Sequence, residues 1–216
     1  MQKATLFFAL AAAALLGVSC GQKDQASVFN QTPQGEETIL QESSAPAAPV
    51  QNKEVTLKTN KGDIVIELFM AQAPVTAGNF LKLASEDFYD GVAFHRVIPG
   101  FMIQGGDPLS KDDDPANDGT GGPGYFIEDE FYEGSSNVAG TMSMANAGPG
   151  TGGSQFFINI IDNTFLDYDK EPASSKHAVF GRVVSGMDIV DEISLVDRDT
   201  RDRPLESVTI EDVVVE

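Results

Sequence analysis

Residues 53–216 predict a mainly β fold, a closed antiparallel sheet with two α-helices covering its ends. Three observations carry that expectation. Short apolar runs recur, each bounded by Gly, Pro or Asn, as strands bounded by turns are. Only two stretches have the apolar spacing of a helix, one opening at Ala73-Pro74 and one from Met187 to Ser194. The chain closes on Val208 to Val215, rich in β-branched residues whose stiff side chains suit a pleated surface. At 216 residues and 41% apolar content the chain can bury one good core and leave a tail over.

That tail is N-terminal. Residues 1–19 read as an export signal, with Lys3 as the positive start and an apolar run from Ala4 to Val18 that ends in small residues. The run is shorter than the roughly 20 apolar residues of a membrane span. Leu15-Leu16-Gly17-Val18-Ser19-Cys20-Gly21 resembles a bacterial lipoprotein signal, in which the cysteine is lipidated and becomes the first mature residue. It departs from the usual pattern in having Gly17, not Leu, three residues before Cys20. The rival reading is a cleaved secretory signal with a stray thiol. Residues 20–52 are rich in Gln, Ser, Ala, Pro and Glu without periodicity, the composition of a disordered tether. A flexible chain of that size reaches on the order of 30 Å.

The folded part opens with Glu54 to Thr59 and Asp63 to Phe69 around Asn60-Lys61-Gly62, a three-residue hairpin turn with Ile64, Ile66 and Leu68 on one face. Pro74 suits the first turn of a helix, and Ala77, Phe80, Leu81 and Ala84 form its buried stripe. Phe94 to Pro108 follows as two short apolar strands joined at Pro99-Gly100. Leu109 to Gly124 is a long acidic, glycine-rich loop. It lacks the lysine and helix start of a phosphate cradle and the spacing of an EF-hand, leaving a solvated loop or an adventitious calcium site. Ala139 to Met144 and Gln155 to Ile160 read as strands around the tight loop Ala145 to Ser154. Ser154 is not set in the Gly-x-Ser-x-Gly elbow of a hydrolase nucleophile.

Charge and composition exclude several functions. Fourteen Lys plus Arg against 33 Asp plus Glu give a formal charge of -19, which repels a phosphate backbone, so nucleic acid is not an expected partner. Cys20 is the only cysteine, and His95 and His177 are the only histidines, so neither a disulfide nor a thiolate or histidine-rich metal centre is expected.

The run Phe94 to Pro108 sets a guanidinium, an imidazole and an amide among hydrophobes. Core strands exclude an unpaired cation because its burial is costly. A binding cleft, in contrast, needs a few polar groups on an apolar wall.

Three blocks in order, Phe94 to Asp107, Gly140 to Phe157 and His177 to Val183, closely resemble the cyclophilin family of peptidyl-prolyl cis/trans isomerases, a likeness that runs from Glu54 to the C-terminus. The resemblance implies an eight-stranded closed antiparallel β-barrel capped by two α-helices, a peptide groove on its outside, a monomer and no cofactor. Carried over by motif, Arg96 is the catalytic arginine and Gln104 the amide that orients it. The remaining groove positions are His95, Phe101, Met102, Ala145, Asn146, Gln155, Phe157, Phe165, Leu166 and His177. His177 either lines the groove or caps the strand beside it. Phe165 stands where many eukaryotic members carry tryptophan, which implies weakened cyclosporin binding.

These residue types suit the reaction. Turning an X-Pro bond means breaking amide resonance, a barrier of roughly 18–20 kcal/mol, and neither a nucleophile nor a metal is required. A rigid, permanently charged guanidinium can donate to the proline nitrogen as it becomes pyramidal, stabilising the twisted state over the planar one. The resulting expectation is an isomerase that assists folding of exported proteins at a bacterial cell envelope, anchored through Cys20. The alternative is a non-catalytic proline-binding module or holdase.

Overall fold

The computed structural model describes residues 50–112 and 114–216. The export signal, Cys20 and residues 20–49 of the tether lie outside the described residues. Among the described residues no helix is long and apolar enough to cross a membrane.

Eight strands form one antiparallel sheet: β1 (Lys53–Thr59), β2 (Gly62–Leu68), β3 (Arg96–Ile98), β4 (Met102–Gly105), β5 (Thr141–Met144), β6 (Phe156–Asn159), β7 (Val179–Ser185) and β8 (Ile210–Val215). Their order across the sheet is β3-β4-β6-β5-β7-β2-β1-β8. Among the described residues two α-helices accompany it, α1 (Pro74–Ser85) against β7 and β8 and α2 (Met187–Ser194) against β2, β3 and β4.

The closed barrel expected from sequence is corrected to an open, curled sheet, because the outermost strands β3 and β8 share no ladder. The reason is local. Strand β3 is three residues long, and on its outer side the Val97 N–H donates to the Asp202 carbonyl at 2.8 Å, so a loop occupies the place of a strand. The start of β8 meets irregular chain instead, through Gly91 N to Ile210 O at 2.7 Å, Ile210 N to Val92 O at 2.8 Å and one bridge between Ala93 and Thr209. This is why β8 begins at Ile210 and not at the predicted Val208.

The first hairpin turn is also tighter than predicted. Thr59 pairs with Gly62, leaving two residues in the loop, and the Thr59 hydroxyl accepts both the Lys61 and Gly62 N–H groups at 3.1 Å. Gly62 has a φ of +138, which its lack of a Cβ permits.

Helix α1 begins with Pro74 in its first turn, where the missing N–H is no loss, and buries Thr76, Ala77, Phe80, Leu83 and Ala84. Phe80 stacks on Tyr89 with centroids 4.8 Å apart and meets Phe156 and Phe180 at 5.5 and 5.7 Å. This aromatic group sits inside one continuous core that includes Ile66, Val97, Ile103, Met142 and Ile158.

The period of two along a strand then divides the sheet into an inner and an outer face. Val97, Ile103, Ile158 and Met142 lie in register across β3, β4, β6 and β5 and enter the core. One residue along, Arg96, Gln104, Phe157 and Ser143 form the neighbouring row, which turns to the other face.

Candidate active site

Strand register alone puts Arg96 opposite Gln104 and Gln104 opposite Phe157. The side chains extend that order. Arg96 Nη1 donates to Gln104 Oε1 at 3.3 Å, and Gln104 Nε2 donates to Gln155 Oε1 at 3.0 Å. Gln155 Nε2 then donates to the carbonyls of Gly119 and Gly121 at 3.0 and 2.9 Å.

Those two glycines are held by a residue that the sequence did not single out. Asp107 is fully buried, and its carboxylate accepts the backbone N–H groups of Leu109 at 2.8 Å, of Gly121 at 3.2 Å and of Gly119. The glycine-rich loop therefore does cradle an anion, but the anion is the protein's own carboxylate. Ser154 is likewise structural, buried with its hydroxyl donating to the Gly106 carbonyl at 2.7 Å.

Beside the guanidinium lies a cavity of about 420 Å3 lined by ten of the predicted residues: His95, Arg96, Phe101, Met102, Gln104, Ala145, Asn146, Phe157, Leu166 and His177. Met102, Phe157 and Leu166 form an apolar cluster separate from the main core, with Ile98, Phe101 and Ala145 packed around it. Hydrophobes on the outer face of a sheet need support, and a buried amide network supplies it. Asn163 Nδ2 donates to the Phe101 carbonyl at 2.9 Å and to Asn159 Oδ1 at 2.8 Å. Asn137 Nδ2 donates to the Leu166 carbonyl at 3.1 Å, and its Oδ1 accepts the Ser143 hydroxyl at 2.7 Å.

Gln155 and Phe165 lie elsewhere. Gln155 lines an adjoining cavity with Gly119 to Pro123 and Ala145 to Ala147. Phe165 is 59% exposed at the rim and stacks on Phe101 at 6.0 Å. The Asn146 side chain is committed to the Lys176 carbonyl at 2.8 Å, whereas among the described residues its backbone N–H and carbonyl make no hydrogen bond. A peptide flank laid along this edge would find both groups open.

The two histidines differ in their contacts. His177 Nδ1 lies 3.0 Å from the Met144 carbonyl, an acceptor only, so Nδ1 carries the proton. The ring meets Phe157 edge-on at 5.1 Å and faces the cavity, so it both lines the groove and ties the chain beside β7 to β5. His95 is buried, and neither ring nitrogen has a well-aligned hydrogen bond among the described residues, although the Ala93 backbone is near enough to favour protonation slightly. Burial pushes both imidazoles below their ordinary value of 6.5, against the pull of Asp107 and Asp118 on His95 and of the Met144 carbonyl and Asp129 on His177.

Five further lining residues were missed: Pro115, Asp118, Gly119, Arg201 and Arg203. A signal existed in the crowding of three of the chain's five arginines into residues 198–203. In the acidic loop, Asp112 accepts from Asn117 and from the Asp114 N–H, and among the described residues no group of three or more metal-ligating side chains converges.

Comparison with known proteins agrees across the whole folded part. Residues 54–215 match the family model described as cyclophilin type peptidyl-prolyl cis-trans isomerase/CLD. Peptidyl-prolyl cis-trans isomerase B of Streptomyces anulatus is 46% identical over 180 residues, covering 74% of this chain and 95% of its own. A peptidyl-prolyl cis-trans isomerase of Schizosaccharomyces pombe is 45% identical over 157 residues, covering 72% of this chain and 94% of its own. A crystal structure of a Cryptosporidium parvum cyclophilin type isomerase, in the presence of the dipeptide Ala-Pro, superposes with a TM-score of 0.66 at 32% identity. It covers 76% of this chain and 98% of that one.

Replacing Asp107 by Ala would strand three partly buried N–H donors, and we expect a loss of about 1–3 kcal/mol of stability in urea denaturation. Amide exchange should rise along residues 109–121; unchanged exchange there would show that the carboxylate does not order the loop. The histidines generate a second expectation. With folded-state values lowered, the unfolded chain binds protons first as pH falls. Their stabilisation is complete above about 6.5 and is lost from there down toward the folded-state values. The thermal midpoint should therefore drop through that window, with a shallower slope in a His95→Gln, His177→Gln double variant.

Proposed function

The chain belongs to the cyclophilin-type peptidyl-prolyl cis-trans isomerases, and on that premise we propose that it turns X-Pro bonds of exported polypeptides while tethered to a bacterial cell envelope. One observation carries the catalytic part. A guanidinium held by Gln104 at 3.3 Å stands beside an apolar pocket of Phe101, Met102, Phe157 and Leu166 that suits a proline ring. The ring's grip fixes one side of the bond. The open backbone of Asn146 offers hydrogen bonds to the flank on the other side. Rotation between two held ends carries the nitrogen from planar to pyramidal, and its lone pair then becomes an acceptor for Arg96. The guanidinium meets this acceptor only in the twisted state, so the contact lowers the barrier without tightening the ground state.

A module that only gripped proline would have no need of the Arg96 to Gln104 contact, which favours catalysis over the holdase reading. The envelope assignment rests on the N-terminal sequence alone: the export signal of residues 1–19, Cys20 and the polar tether behind it.

Arg96→Ala should lower turnover of a proline test peptide at least about tenfold, as loss of a single transition-state donor does, with little change in the melt because the side chain is exposed. Unchanged turnover would leave the groove a binder. Cys20→Ala should shift the protein from the membrane to the soluble fraction of the producing cells, and retention on the membrane would count against a lipid anchor.

A further inference from the structure

We infer that Arg201 makes the groove selective for proline segments carrying a carboxylate next to the proline. The inference rests on the isomerase reading above and names a substrate class within it. Its ground is a reversal of charge. Acidic residues outnumber basic ones 33 to 14 in the chain, yet the charged residues lining the cavity are Arg96, Arg201, Arg203 and a single carboxylate, Asp118.

The two added cations are built in. Asp199 Oδ1 accepts the N–H groups of Arg201 and Arg203 at 2.7 and 3.0 Å, folding residues 199–203 into a tight turn. The Val97 N–H donates to the Asp202 carbonyl at 2.8 Å and pins that turn to β3 beside Arg96. Arg203 is neutralised, its Nε 2.6 Å from Asp118 Oδ2, with the Asp118 side chain only 7% exposed. Arg201 is paired more loosely. Its Nε lies 3.9 Å from Asp199 Oδ2, the other oxygen of that carboxylate taking the two backbone N–H groups, and its side chain is 59% exposed at the cavity rim. A cation so placed meets a substrate carboxylate at partial exposure, where an ion pair contributes a modest, salt-sensitive preference.

Turnover of two tetrapeptide sets tests this with the full-length protein, one with Glu, Gln or Lys immediately before proline and one with the same residues immediately after. In at least one set kcat/KM should favour Glu over Lys by about threefold or more at about 50 mM salt and lose that preference near 500 mM. Arg201→Ala should narrow the ratio and Arg201→Glu should invert it. Equal rates for Glu and Lys in both sets, or a ratio that Arg201→Glu leaves alone, would overturn the inference. The isomerase reading would then still stand on turnover of the Gln peptides and its loss in Arg96→Ala, whereas no turnover of any peptide would defeat both.

Discussion

The orientation of one exposed guanidinium depends on a carboxylate buried well behind it. Asp107 accepts three backbone N–H groups of the following loop; that loop's carbonyls receive Gln155; Gln155 receives Gln104; and Gln104 receives Arg96. Alone on a strand, an arginine loses up to about 2 kcal/mol of rotamer freedom on being fixed. No single hydrogen bond in the relay, contributing about 1 kcal/mol net, would hold it. The relay works because its far end has no freedom left. Each amide is oriented by the one behind it, and the order is handed forward through Gln155 and Gln104 to a group that must stay accessible.

The sheet makes this arrangement compatible with stability by separating duties one residue apart. Val97, Ile103 and Ile158 fill the core, while Arg96, Gln104 and Phe157 beside them build the groove. A single-residue slip would exchange the two rows, so the core enforces the register of the site. The cost is a second set of hydrophobes, Met102, Phe157 and Leu166, lying outside the main core. Buried amides at Asn137, Asn159 and Asn163 brace them from behind and satisfy the backbone carbonyls of Phe101 and Leu166.

How much of this could be read in the sequence follows from the distance over which each feature acts. The hairpin of β1 and β2, both helices and the pairing of Arg96 with Gln104 across Pro99-Gly100 depend on neighbours a few residues away, and local patterns carry them. The apolar wall was legible through a family likeness and not through its own pattern, since Phe and Met at alternate positions read equally as core. Asp107 was visible but ordinary, because its importance lies in which N–H groups the loop brings to it. Arg203 meets Asp118 from another part of the chain, and nothing local marks that encounter. The open seam escaped for a similar reason: a loop residue, Asp202, takes the bond that a closing strand would have made.

The position of β8 bears on how the protein is made. This last strand pairs with β1, the first, setting Leu57 opposite Val213, and the core closes over Val208, Ile210 and Val213. A ribosome delivers these residues after the other strands of the sheet. Until they arrive the β1 and β2 hairpin has a bare edge and the core an open side, and closing so long a loop is entropically slow. During synthesis the sheet is thus held incomplete until β8 arrives to seal the edge of β1.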